Sequence, residues 1–209
     1  MTTCFLSILI ISLEKRKQSL QSLIQKLNNQ ITTFCTHNNI STSVVEILVN
    51  VDNGENKIGT KRNLLLKQVK GYFFTFIDDD DDVSDDYIYR LLFVADQSPT
   101  IHVFSFQQTC SLDNGKTSFI VNADMNNKID DYIPLHTTTH EEMYQRHIWH
   151  WCMFNSNICK HVMFDDMNDG EDYKWLLKIR PLLKTQCHLN KPLYIYTTSP
   201  ITSACSYFK

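Results

Sequence analysis

The chemistry of this sequence is concentrated in one acidic stretch, FIDDDDDVSDD, in which five consecutive aspartates occupy residues 78–82. We call residues 78–82 the aspartate run. Carboxylates this close repel one another, and burial would raise the pKa of some of them. Asp82 or Ser84 could cap a helix that begins near Asp85, and the negative charge of Asp85 and Asp86 in its first turn complements the helix dipole. That explanation leaves the first four aspartates of the run without a role.

A bound divalent cation is the interpretation that best accounts for the start of the run. An EF-hand loop counted from Asp78 fails, because its sixth position is Val83 rather than glycine and its twelfth is Tyr89 rather than glutamate. Mg²⁺ usually takes one or two carboxylates and completes its shell with water and phosphate oxygens. Asp78 and Asp80, in a D-x-D arrangement, are therefore predicted to hold Mn²⁺ or Mg²⁺ beside a diphosphate.

The first hundred residues alternate between apolar strands and amphipathic helices. Strands are predicted at residues 4–11, 44–50 and 72–77, and helices at residues 15–31 and around Leu64, Leu65 and Val69, with Gly71 ending the second helix. This alternation predicts a mostly parallel α/β sheet with right-handed crossovers. Ligands bind beyond the carboxyl ends of the strands in such sheets, and the aspartate run lies at one of those ends.

The second half of the chain has a less regular pattern, and residues 123–146 resist assignment. IHVFSFQQTC and KTSFIVN flank the turn sequence SLDNG and predict an antiparallel hairpin. A strand is predicted in WHWCMFN, a helix in EDYKWLLKI and a last strand in PLYIYTT. At 209 residues the chain is predicted to be a single domain, with a nucleotide-binding half at about 1–100 and an acceptor-side half at about 101–209.

Composition excludes several classes of protein. A net charge of −3 gives no basic surface for nucleic acid. The seven cysteines are scattered without a CxxC pair, which argues against a disulfide framework or a zinc ribbon and for reduced thiols in the cytoplasm. The apolar run at residues 4–11 is too short for a transmembrane segment and is predicted to be a buried strand.

Four stretches of the sequence resemble the GT-A nucleotide-sugar glycosyltransferases of family 2. They are SILIISLEKR, VEILVNVDNGENKIGTKRNLLLKQVKGYFFTFIDDDDD, NDGEDYKWLLKI and PLYIY. The resemblance covers most of residues 5–198 and is most specific over 44–92, and the compact length is similar to that of small virus-encoded members. It implies the GT-A fold, with a mixed, mostly parallel sheet flanked by helices. It also implies transfer from a UDP-sugar, UDP-glucose by default, to a glycan or glycoprotein acceptor.

The resemblance implies a donor site made of residues from the first half. These are Ser12, Leu13, Glu14 and Asp52 around the base, Lys61 and Arg62 near the diphosphate, Asp78 and Asp79 near the ribose, and Asp78 and Asp80 at the metal. Two simpler explanations stay open at this stage. Asp52 could only shape the turn in VDNG, and Lys61 and Arg62 could form a solvated helix face.

The resemblance places a catalytic base in an acidic pair before a helix, and GED offers Glu171 and Asp172. We predict Asp172 as the base that removes the acceptor proton, with Glu171 as the alternative. Both acids could instead only stabilise the first turn of the helix.

The segment HIWHW contains His147 and His150 at a metal-like i, i+3 spacing, together with Trp149 and Trp151. The tryptophan faces could form an acceptor wall, and a buried core is an equal alternative. Relatives carry a late histidine as a metal ligand, but here His188 is the nearby candidate and is interpreted as structural.

Two other functions compete with glycosyl transfer. Clustered carboxylates also serve metal-dependent phosphohydrolases and nucleases through two-metal sites, although the composition shows no basic groove. The short length and the missing late histidine also fit a non-catalytic carbohydrate-binding scaffold. A sugar-nucleotide pyrophosphorylase is disfavoured, because its phosphate loop after strand one is rich in glycine and SLEKRKQSL contains none.

Overall fold

A computed structural model describes residues 4–112, 117–127, 133–135 and 143–197 of the chain. The strands are β1 Leu6–Leu13, β2 Val45–Asp52, β3 Phe73–Asp78, β4 Asp82–Val83, β5 Val103–Leu112, β6 Thr117–Ala123, β7 Ile133–Leu135, β8 Met143–Arg146, β9 Met153–Asn155 and β10 Gln186–Thr197. The helices are α1 Lys17–Asn38, α2 Ile58–Leu66, α3 Tyr87–Gln97, α4 Ser156–Cys159 and α5 Glu171–Ile179.

These strands form one mixed sheet in the order β2-β1-β3-β9-β5-β6-β8-β7, with β10 beside β5 and β4 beside β10. The two longest ladders, β1 with β2 and β5 with β10, are parallel. Strand β9 lies antiparallel between β3 and β5 and joins the two halves of the sheet. The predicted fold class is confirmed, and the antiparallel pair of β5 and β6 is the predicted hairpin.

Strand β1 and helix α1 follow from their apolar patterns. Nearly every side chain of β1 is buried, because β2 and β3 flank it and both faces of the strand are covered. Helix α1 buries one stripe at helical spacing, made of Leu20, Leu23, Leu27, Ile31 and Cys35. The stripe extends one turn beyond the predicted end, and the helix stops where Asn39 adopts a left-handed conformation with φ 53°.

Helix α2 differs from the prediction at its C-terminal end. It ends at Leu66, so Val69 lies outside it although its side chain is buried. Gly71 does not end the helix, and that prediction is wrong. A glycine is required there because a Cβ atom would lie 2.5 Å from the backbone nitrogen of Ser7, where the chain passes directly against β1.

The later elements are placed as predicted but with different lengths. Helix α5 covers the predicted EDYKWLLKI, whereas β9 keeps only three residues of WHWCMFN and β10 is longer than PLYIYTT. His188 lies inside β10, and its Nδ1 atom is 2.9 Å from Ser105 Oγ, which fits the structural interpretation. In the described ranges no helix is both long and apolar enough to cross a membrane. The cysteines of these ranges are free thiols, and Cys205 lies outside them.

Candidate active site

The carboxyl ends of β1, β2 and β3 meet at one edge of the sheet and bring together the predicted donor residues. Ser12 and Leu13 end β1, Asp52 ends β2 and Asp78 ends β3. Leu13 and Asp52 are partners in the β1–β2 ladder, and Glu14 opens a short 3₁₀ helix directly afterwards. This is the edge at which open α/β sheets bind ligands.

Lys61 holds the ends of β1 and β2 together. Its Nζ atom lies 2.7 Å from Asp52 Oδ1 and also donates to the backbone oxygen of Ser12, and only 3% of the residue is exposed. Asp52 also accepts the backbone N–H groups of Gly54 and Asn56, so it does shape the turn after β2. The Lys61 hydrogen bond is the main cause that lowers the pKa of Asp52 to about 2. Lys61 therefore does not belong to a solvated helix face.

Arg62 is equally buried and links two acidic groups from distant parts of the chain. Its Nη2 atom is 3.0 Å from Asp78 Oδ1, and its Nε atom is 3.3 Å from Glu171 Oε1. The guanidinium lies over the rings of Phe76 and Phe164, at 5.0 and 5.8 Å from their centroids. Such stacking suits arginine, whose planar head is weakly hydrated and always charged.

Arg16 offsets the charge of the middle of the aspartate run. Its Nη1 atom lies 2.8 Å from Asp79 Oδ1 and 2.9 Å from Asp80 Oδ2. Asp79 is buried and also accepts the Ser12 hydroxyl at 2.5 Å, whereas the Asp80 side chain is 43% exposed. Burial raises the pKa of Asp80, and the carboxylates of Asp78 and Asp79 raise it further against the opposing effect of Arg16.

The end of the run is tied to other elements. Tyr194 of β10 donates to Asp81 Oδ2 at 2.6 Å, and the backbone N–H of Thr197 donates to Asp81 Oδ1 at 3.1 Å. Burial raises the pKa of Asp81 well above its usual value. Lys26 of α1 lies 2.9 Å from Asp82 Oδ2. These two aspartates therefore fasten the run to β10 and α1.

Asp78 faces two cationic groups. Arg62 contacts Oδ1, and His150 Nε2 lies 3.2 Å from Oδ2. Burial would raise the pKa of Asp78, but Arg62 and His150 outweigh it and hold the pKa well below its usual value. In the part of the chain that the structure describes, no three His, Cys, Asp or Glu side chains form a metal-binding group. Asp78 contacts Arg62 and His150, Asp80 contacts Arg16, and the assignment of the two aspartates as metal ligands stays a prediction.

The predicted catalytic pair opens α5, but its two acids have different surroundings. The Glu171 side chain is 6% exposed and that of Asp172 is 20% exposed. Trp149 Nε1 donates to Asp172 Oδ2 at 2.9 Å. Burial would raise the pKa of Asp172, but His150 lowers it to about 2, whereas burial raises the pKa of Glu171.

The segment HIWHW places its histidines and tryptophans in different surroundings. His147 is buried, burial lowers its pKa to about 4, and among the described residues it belongs to no group of three His, Cys, Asp or Glu side chains that could hold a metal. Trp151 is 2% exposed and stacks on Tyr194 with ring centroids 5.5 Å apart. It belongs to the core and offers no face to an acceptor. Trp149 is partly exposed, and the Arg146 guanidinium covers its ring at 3.7 Å.

The sequence pattern did not identify Arg16 as a site residue, and it did not reveal the position of His150 in the site. Arg16 stands in the quoted SLEKR, and a cation just after a strand that ends near clustered aspartates was a usable signal. His150 was seen only as half of a histidine pair. Its position between two carboxylates depends on contacts across 72 and 22 positions of the chain, which local spacing does not reveal.

A comparison with models of protein families identifies the family of the chain. The model of "Glycosyl transferase family 2" matches residues 7–160, which is more than half of the sequence. The chain belongs to glycosyl transferase family 2. No curated protein matches its sequence.

Solved structures share the fold of this family 2 chain. S. aureus TarS 1–349 in complex with UDP-GlcNAc matches with a TM-score of 0.64 at 14% identity, over 95% of this chain and 60% of that one. The same TarS fragment in complex with UDP matches with a TM-score of 0.60 at 15% identity, over 94% and 61%. This chain therefore spans about 60% of the length of those TarS fragments, and the likeness shows a shared GT-A fold.

Proposed function

We propose that the chain transfers a sugar from a UDP-sugar to a hydroxyl group of a glycan or glycoprotein acceptor. The observation that carries the proposal is the double link between the two predicted half-sites. Arg62 and His150 each contact Asp78 on the donor side and one acid of the Glu171–Asp172 pair on the other side. Family 2 membership supports the reaction class, and the TarS complexes with UDP-GlcNAc and with UDP support the donor class.

The donor nucleotide is assigned to the edge formed by β1 and β2. We assign the base to the surface beside Leu13, Glu14 and Asp52, since Leu13 and Asp52 are adjacent in the ladder. Lys61 keeps the Asp52 carboxylate ionised and fixed in position. The N3–H of uracil can donate to those lone pairs of the carboxylate that Lys61 and the turn leave unoccupied. Asp78 and Asp79 remain our candidates for the ribose hydroxyls.

Asp80 fits a divalent cation better than Asp78 does. Its side chain is 43% exposed, and the neighbouring carboxylates of Asp78 and Asp79 add to burial in raising its pKa, a repulsion that a cation would relieve. A single carboxylate is enough for Mg²⁺ or Mn²⁺ when diphosphate oxygens complete the shell. When bound there, the ion would stabilise the negative charge of the departing UDP. We propose Asp80 as the ligand and place Asp78 outside the metal shell.

Asp172 is our candidate for the general base. It removes the proton of the acceptor hydroxyl while that oxygen bonds to the anomeric carbon and the bond from this carbon to the diphosphate breaks. Asp172 is more exposed than Glu171, and a base must touch the hydroxyl whose proton it takes. Trp149 and His150 orient its carboxylate.

Calorimetric titration with UDP, with and without Mn²⁺, tests the donor and metal assignments. We expect metal-dependent binding in the wild type, loss of the metal dependence in Asp80→Ala, and wild-type behaviour in the control Asp96→Ala, an exposed acid of α3. Absence of UDP binding in the wild type would refute the donor assignment. Binding that is independent of metal would refute the role of Asp80. Binding without release of UDP from any UDP-sugar would indicate a non-catalytic scaffold.

A further inference from the structure

His150 lies between two carboxylates that the proposed function places on opposite sides of the reaction. Its Nε2 atom is 3.2 Å from Asp78 Oδ2, and its Nδ1 atom is 3.2 Å from Asp172 Oδ2. Only 7% of the residue is exposed, so solvent does little to screen either contact. Each ring nitrogen of the imidazole therefore faces one carboxylate.

The electrostatic surroundings of His150 favour the charged form of its imidazole ring. Burial lowers the pKa of His150, and so does Arg62, which also contacts Asp78. The two carboxylates outweigh both effects and raise the pKa of His150, which favours the charged ring with two N–H donors. A buried charge of this kind is tolerated where it is paired on both sides.

The contact with Asp172 is the looser of the two. The approach of Nδ1 to Asp172 Oδ2 has the distance of an ion pair but is not aligned as a hydrogen bond, whereas Nε2 is hydrogen-bonded to Asp78. Trp149 donates to the same oxygen of Asp172. Catalytic hydrogen bonds are often poorly aligned without substrate and tighten in the substrate complex.

We propose that His150 is a positioning residue that couples the donor-side carboxylate Asp78 to the base Asp172. Because a rigid ring joins the two, a shift of Asp78 on donor binding moves the imidazole, and the imidazole reorients Asp172 toward the acceptor hydroxyl. This inference deepens the proposed function and rests on it, because it takes Asp172 as the base and Asp78 as part of the donor site.

Two conservative substitutions separate the two halves of the coupling. The amide nitrogen of asparagine can occupy the place of Nδ1, and that of glutamine can occupy the place of Nε2. His150→Asn therefore keeps a donor for Asp172 and loses the contact with Asp78. His150→Gln keeps the contact with Asp78 and loses the one with Asp172.

The measurements are the Kd for UDP and the rate of UDP release from saturating UDP-sugar, with water as the acceptor. For His150→Gln we expect a Kd within about twofold of wild type and a rate at least about tenfold lower, the loss expected for one charge-assisted hydrogen bond. For His150→Asn we expect UDP binding weakened by about tenfold and a smaller loss of rate. The matched control is the same pair of substitutions at His161, an exposed histidine, which we expect to change neither quantity.

Thermal unfolding of each variant separates positioning from packing. If both His150 variants lose binding and rate together, in proportion to their loss of Tm, His150 is a packing residue and the inference is wrong. The proposed function has its own readouts, namely UDP binding by the wild type and loss of UDP release in Asp172→Asn. If those succeed and the split between Asn and Gln is absent, the coupling alone fails. If they fail, the coupling fails with them.

Discussion

Glu171 and Asp172 are adjacent in the chain, yet their surroundings shift the pKa in opposite directions. Burial raises the pKa of Glu171, while His150 outweighs burial at Asp172 and lowers its pKa to about 2. The pKa alone would favour Glu171 as a proton acceptor. Glu171, however, is enclosed and paired with Arg62, whereas Asp172 reaches the surface. We therefore assign the role of base to Asp172, because it is the more accessible of the two acids to an acceptor.

The two acids predict different pH dependences of kcat/KM. If Asp172 is the base, it is already ionised above about pH 3, so we expect no acidic limb from it between about pH 4.5 and 8. A limb centred above the ordinary glutamate value would assign the base to Glu171, whose pKa is raised. Asp172→Asn should lower kcat by about 10²–10⁴-fold and leave UDP binding within about threefold of wild type. Glu171→Gln is the control for a change in the same pair.

Lys61 stabilises the folded chain through its contact with Asp52. Removing one partner of such a buried pair leaves the other unpaired, so Lys61→Met should lower the free energy of unfolding by about 3 kcal/mol at neutral pH. The pKa of Asp52 falls from its ordinary value of 3.8 to about 2 in the folded chain, so this stability is present above about pH 4 and lost as the pH falls toward 2. The difference between wild type and variant should therefore shrink on acidification, in urea unfolding from pH 7 to 3.

Lys57 provides a matched control for Lys61. It precedes the same helix and also pairs with an aspartate, Asp166, but both side chains are more than half exposed. We expect Lys57→Met to cost less than about 1 kcal/mol, since exposed ion pairs contribute little. An equal cost at both positions would contradict a specific role for the Lys61–Asp52 pair.

Helix α2 buries two consecutive cationic residues, Lys61 and Arg62, because it packs against the segment before α5. Gly59 permits the approach, and its backbone N–H donates to Met167 O at 3.1 Å. A Cβ atom at this position would lie 1.9 Å from the backbone oxygen of Asp165. Arg62 can reach Glu171 because the two segments lie this close.

Gly59→Ala tests this packing, because helix propensity and the close contact predict opposite changes in the free energy of unfolding. Alanine favours a helix over glycine by about 1 kcal/mol, so the variant would be more stable if there were room. We expect it to be less stable by about 2 kcal/mol, because the clash is with backbone rather than with a flexible side chain. UDP release should also fall more than tenfold as Arg62 shifts from Glu171. Leu64→Ala, on the exposed face of α2, should cost less than about 1 kcal/mol in chemical denaturation.

The elements also show what the sequence could predict. Periodicity was sufficient for α1 and α5, whose buried faces recur at helical spacing, and continuous burial was sufficient for β1. The pairing of β10 with β5, and the core position of Trp151, depend on partners far away in the chain. Local pattern carries no information on such contacts. For the same reason the sequence did not reveal that His150 lies between Asp78 and Asp172, while Arg62 was found through the motif around it.

Contacts between the two halves of the chain predict that it unfolds as one cooperative unit. Strand β9 from the second half pairs with β3 from the first, and β10 fastens the aspartate run through Tyr194. The side chains of Arg62 and Glu171 add an ion pair across the same boundary. The predicted nucleotide-binding half and acceptor-side half should therefore unfold together.

The three tryptophans make this testable, because Trp149, Trp151 and Trp175 all belong to the second half while UDP is assigned to the first. We expect tryptophan fluorescence and far-UV circular dichroism to report one coincident thermal transition. UDP at about 100 times its Kd adds about 2.7 kcal/mol, which should raise Tm by about 5–10 °C for a chain of this size. Both probes should shift equally. A dichroism transition that moves with UDP while the tryptophan transition stays would instead divide the chain into two independently folding units.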